Sequence, residues 1–151
     1  MTTRWLLASL HLLALGIGLG AVWFRGRALR SRLDAAGLRM VFQADNLWGL
    51  AAFLWVSTGI WRLLAGVEKN TAYYFQNHFF LTKMALLLLI LALEVRPMRT
   101  LIGWRRRLGA GEEPATTVAP ALARTSFIQA VLIVLMVFLA AAMARGYGVS
   151  S

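Results

Sequence analysis

The stretch Thr71–Pro97 reads TAYYFQNHFFLTKMALLLLILALEVRP. Its apolar part, His78 to Val95 and back toward Tyr73, approaches the ~20 residues a helix needs to cross ~30 Å of hydrocarbon. It lacks the alternation of a membrane strand, and in lipid only helices and closed barrels satisfy every backbone N–H and C=O. Yet it carries His78 and Lys83 near its start and Glu94 near its end. Ionisable groups in a span are costly and usually face a bundle interior or a water-filled cavity. The segment is therefore a membrane helix with polar contacts to make.

Three further runs share this character: Trp5–Phe24, Asn46–Gly66 and Ser126–Ala144. Of the 151 residues, 60% are hydrophobic and 15% charged, against about 25% charged in soluble domains. The expected fold is all-α, a four-transmembrane-helix bundle forming a single integral membrane domain over residues 1–151, with helices at about 5–24, 46–66, 73–95 and 126–144. The chain has no cysteine, which excludes disulfides, thiolate zinc sites and catalytic thiols.

Arginine placement gives the orientation. Arg25, Arg27, Arg30, Arg32 and Arg39 lie between the first two helices. Arg96, Arg99, Arg105, Arg106, Arg107 and Arg124 lie between the last two. The opposite side has Arg4, Lys69 and Arg145. The positive-inside rule then puts both termini outside and loops one and three in the cytoplasm. The net charge of +10 is explained by orientation and by contact with anionic lipid head groups, not by nucleic-acid binding. The first run continues into VWFRGR without a small-x-small cleavage site, so it reads as a retained helix rather than a signal peptide. In the first loop Leu29, Leu33, Ala36 and Met40 recur at helical spacing, suggesting an interfacial helix or an extension of helix one. Pro97 is expected to end helix three, and RRRLGAGEEPATTVAPALAR to form a flexible linker.

With this topology four polar groups gather in the outer half of the bundle. His11 lies ~9 Å below the outer end of helix one, and His78, Lys83 and Arg62 fall in the same half. Asp45, Asn46, Glu94 and Gln129 fall in the inner half, mostly near helix ends. On helix two, Trp48, Trp55 and Arg62 form one stripe with Ala51, Ala52, Thr58 and Gly59. Indoles and small residues ending in an arginine suit a flat macrocycle with acidic edges. Plainer roles are also open. Arg62 and Lys83 can snorkel outward, Glu94 can be a helix-end carboxylate beside Arg96, and Met136 and Met143 can be core. Two histidines on facing membrane helices are the usual requirement for a b-type haem, with Arg62 and Lys83 neutralising its propionates. The same groups could hold copper or an anionic substrate.

LHLLALGIGLGAVWFRGRALR, ADNLWGLAAFLWVSTGIWRLL, EKNTAYYFQNHFFLTKMALLLLILALEVRPM and the closing helix resemble a bacterial integral-membrane family defined by a domain of unknown function, over nearly the whole chain. More remotely, the layout is similar to the superfamily of copper-resistance protein D and HemJ-type protoporphyrinogen oxidase. That resemblance matches His11 to a histidine of the first helix and Lys83 to a lysine opening a leucine-rich helix. The histidine it places two residues before the lysine is Leu81 here, with His78 displaced by most of a turn. The resemblance implies a multi-pass protein of a bacterial inner membrane that binds haem b, for electron transfer or tetrapyrrole redox chemistry as a haem-dependent oxidoreductase. The expected cofactor set is His11, His78, Arg62, Lys83 and Trp55, with His11 and His78 on the metal. The alternatives are copper- or small-solute handling, or an accessory membrane protein without a cofactor. A homo-oligomer is compatible with either, and no electron partner is identified.

Overall fold

The computed structural model describes residues 2–64 and 77–147. The expected end of helix two at Gly66, the start of helix three at Tyr73, and Lys69 lie outside them. The described chain is all-α. It comprises α1 (Thr2–Ala28), α2 (Ala35–Leu64), α3 (His78–Gly109), a short 3-10 turn (Thr116–Val118) and α4 (Ala119–Ala144). All four long helices are sufficiently long and apolar to cross a membrane.

Successive helices run antiparallel. His11, near the start of α1, bonds Thr58 near the end of α2, whereas Arg25, near the end of α1, bonds Asp45 in the first half of α2. In the same way Asn77, before α3, reaches the Tyr147 carbonyl beyond α4, and Gln129 of α4 reaches Ile90 of α3. α1 packs on α2 and α4, and α3 packs on α4. Two apolar cores result. Ala14, Val22, Trp48, Trp55, Ile90, Ile133 and Met136 fill the middle of the bundle. Leu29, Leu38, Val41, Leu101, Trp104 and Leu122 fill the end where α1 meets α2 and α3 meets α4, here called the loop end. Gly26 keeps α1 and α4 close there, since a Cβ on it would stand 2.9 Å from the Phe127 ring.

Three local expectations are corrected. The amphipathic stretch from Leu29 to Met40 is neither an extension of helix one nor a separate interfacial helix. α1 ends at Ala28, residues 29–34 form the turn, and the rest of the stretch from Ala35 supplies the first turns of α2. Asp34 makes that start possible by accepting the Gly37 N–H at 2.9 Å, a side-chain N-cap. Pro97 does not end helix three, because α3 runs through it to Gly109. Leu101 and Trp104, one and two turns on, are buried in the loop-end core, and that packing outweighs the missing N–H of a buried proline. The linker is correspondingly shorter, with α4 beginning at Ala119 behind Pro120 in its first turn.

The largest departure from expectation is Arg25. Assigned to the arginine-rich loop, it is instead fully buried. Its guanidinium has five N–H donors, and all five are matched. Nε donates to Ser126 Oγ at 3.1 Å. One terminal nitrogen donates to Asp45 at 2.9 Å and Glu94 at 2.7 Å. The other donates to Glu94 at 2.8 Å and Gln129 at 2.9 Å. One side chain thus ties α1 to α2, α3 and α4. Glu94 is not a helix-end carboxylate beside Arg96 but half of a bidentate pair, also bonded by Gln129 Nε2 at 2.8 Å. Asp45 gives its second oxygen to Arg105 at 2.9 Å, and Arg105 also reaches Asn46 and the Phe42 carbonyl. Two cations and two carboxylates close a neutral layer between the two cores. Among the described residues no buried side-chain nitrogen or oxygen lacks a partner.

Candidate ligand-binding site

At the end opposite the loop end, α2 and α3 separate around a cavity of about 320 Å³. Its walls include His11 from α1, Trp55, Gly59 and Arg62 from α2, Phe80, Lys83 and Met84 from α3, and Met136 and Met143 from α4. An adjoining cavity of about 370 Å³ continues past His11, Trp55, Arg62 and Lys83 toward α1 and α4. Both are within the size range of small-molecule sites, which are mostly apolar with a few placed polar groups. At the loop end the same α2–α3 seam is closed by Arg105 on Asp45 and Asn46.

His11 enters this cavity in a fixed state. Trp55 Nε1–H donates to His11 Nε2 at 3.1 Å, and His11 Nδ1 lies 3.0 Å from Thr58 Oγ. The imidazole lies against Gly59, where a Cβ would stand 3.1 Å from its Cε1. Trp55 is buried beside it, ring centroids 6.1 Å apart. Trp48, the other indole of the expected stripe, is packed in the central core and is not on the cavity wall.

Of the five residues expected to hold a cofactor, the structure brings four to one cavity: His11, Trp55, Arg62 and Lys83. It does not bring His78. That residue is exposed as the first residue of α3 and lies on neither cavity wall. The physical cause is the Asn77 cap. Its side chain accepts the N–H groups of Phe79 and Phe80 and its amide is tied to Tyr147, which fixes where α3 starts and turns Phe80 rather than His78 inward. Met84 and Phe80 are additions that sequence reasoning did not single out, and Thr58, named there only on the helix-two stripe, is the partner of His11 Nδ1. Thr58 had one signal, its place a turn after Trp55 on the stripe opposite His11. Among the described residues no group of three or more His, Cys, Asp or Glu stands together as a metal site.

A family comparison matches residues 3–148 to the family described as predicted membrane protein (DUF2214). The chain belongs to that family. This DUF2214 protein is a multi-pass membrane protein, with four helices able to span. No curated protein and no solved structure matches it.

Proposed function

We propose that this DUF2214 protein binds one ligand with an apolar body and an acidic edge in the α2–α3 cavity, and that haem b is the ligand its residues fit best. The carrying observation is an imidazole, two cations and three thioethers on one otherwise apolar wall. His11 would hold the iron. Met136 and Met143, which line both adjoining cavities, would be thioether candidates for a second donor, a His/Met set known from electron-transfer haems. Arg62 and Lys83 would meet the propionates. Bound haem would supply one-electron chemistry. His78 has no part in this arrangement. The remote resemblance to haem-binding superfamily members supports the same reading through His11 and Lys83.

A second reading is favoured by the thioethers themselves. Met84, Met136 and Met143 with His11 form a soft donor set suited to Cu(I). In both readings the arginine-rich loop end faces the cytoplasm of a bacterial inner membrane, with exposed Arg27, Arg30, Arg96 and Arg99 against anionic head groups.

Titration of detergent-solubilised protein with hemin, and separately with Cu(I), separates the two. Haem predicts a saturable Soret change at one equivalent. It also predicts weaker binding in Arg62→Ala than in Arg62→Lys, since lysine keeps the charge but loses the planar fork. Copper predicts stoichiometric metal by elemental analysis and no specific Soret response. Binding of neither would overturn both.

A further inference from the structure

We infer that Thr58 and Trp55 are positioning residues for His11: Thr58 holds the ring proton on Nδ1, and Trp55 occupies the Nε2 lone pair until a ligand displaces it. This rests on the cavity reading above.

The hydrogen-bond directions follow from what each group can do. An indole N–H donates and cannot accept. The 3.1 Å bond from Trp55 therefore requires an unprotonated Nε2. A neutral imidazole then carries its proton on Nδ1, which faces Thr58 Oγ at 3.0 Å. The Thr58 hydroxyl proton goes to the Leu54 carbonyl at 2.6 Å, leaving the oxygen to accept. Trp55, Thr58 and Gly59 lie three and four residues apart, on one face of α2. That face supplies a donor, an acceptor and a steric floor to the imidazole. Histidines that ligate metals are commonly fixed this way, with the second nitrogen donating to a protein oxygen. The indole N–H is the exchangeable member, because Trp55 also lines the cavity.

Nitrogen-15 NMR of histidine-labelled, ligand-free protein in detergent tests this directly. The chain has only two histidines, and His78→Asn leaves His11 as the sole signal. The expected spectrum shows a protonated Nδ1 and an unprotonated Nε2, retained in Thr58→Ser and mixed only when both partners are removed, in Thr58→Val with Trp55→Phe. Hemin affinity should fall about 10–100-fold in Thr58→Val, recover in Thr58→Ser, and hold or rise in Trp55→Phe. A protonated Nε2 in the wild type would overturn the inference, as would unchanged hemin affinity in Thr58→Val or an unchanged tautomer in the double variant. A loss in Trp55→Phe as large as in Thr58→Val would overturn the placeholder role. The expected tautomer with no response to hemin or Cu(I) would overturn the cavity's ligand reading and leave the Thr58 assignment standing.

Discussion

At the residue scale, a single buried guanidinium carries the most consequence. Arg25 has every donor satisfied by groups on the other three helices. Removing one partner from such a network leaves charge buried without compensation. Arg25→Ala should therefore lower stability by about 3–5 kcal/mol, measured by denaturant unfolding in detergent. Arg25→Lys should recover only part, because an ammonium cannot make the bidentate contact to Glu94 and reach Ser126 and Gln129 as well. Arg27→Ala, exposed two residues on, should change stability by less than about 0.5 kcal/mol. Equal effects at 25 and 27 would contradict the pin. Half of this network was legible beforehand. Asp45, Glu94 and Gln129 were visible as polar groups in the inner half, though Glu94 read as a helix-end carboxylate beside Arg96. Arg25 was missed because its neighbours Arg27 and Arg30 are loop-facing, and orientation counting treats all arginines alike.

At the element scale, the starts of α2 and α3 rest on side-chain caps, Asp34 and Asn77. Asp34 accepts the Gly37 N–H, and this bond, helped by Arg32 nearby, holds its carboxyl below the usual carboxylate value. A depressed folded value means the cap contributes fully above the ordinary carboxyl range of about 3.9. Its contribution is lost as pH falls through the lower folded value. Amide exchange at Gly37 should accelerate only below that range in the wild type. In Asp34→Asn, which still caps, protection should not depend on pH there. Pro97 offers the complementary check. Since α3 already passes through it, Pro97→Ala should leave the loop-end contacts of Leu101, Trp104 and Arg105 intact, seen as an unchanged Trp104 emission spectrum in a background lacking the other tryptophans. A shifted Trp104 environment would contradict a continuous α3. Helix number and type were legible from apolar run length, because the bilayer demands that length. Boundaries were not. α2 and α3 extend beyond the hydrocarbon into a second core, and residues such as Leu38 and Trp104 are buried there by protein rather than by lipid.

At the scale of the whole molecule, the bundle separates two polar systems: a closed ionic layer near the loop end and an open cavity near the other. Their placement across the membrane depends on orientation. A reporter inserted at the Gly111 turn should behave as cytoplasmic and one fused after Ser151 as extracytoplasmic, and the reverse would put the cavity on the cytoplasmic side. The gathering of His11, Arg62, Lys83 and Trp55 was legible because depth along antiparallel helices follows from residue counting. The exclusion of His78 was not, since it depends on where the Asn77 cap starts the helix. The proposed binding of haem through His11 is tested by the reduced-minus-oxidised visible spectrum of protein purified from haem-replete cells, for wild type, His11→Ala and His78→Ala. The expected result is b-type bands in wild type, their loss in His11→Ala, and their retention in His78→Ala. No haem bands in wild type, or identical bands and occupancy in wild type and His11→Ala, would contradict it.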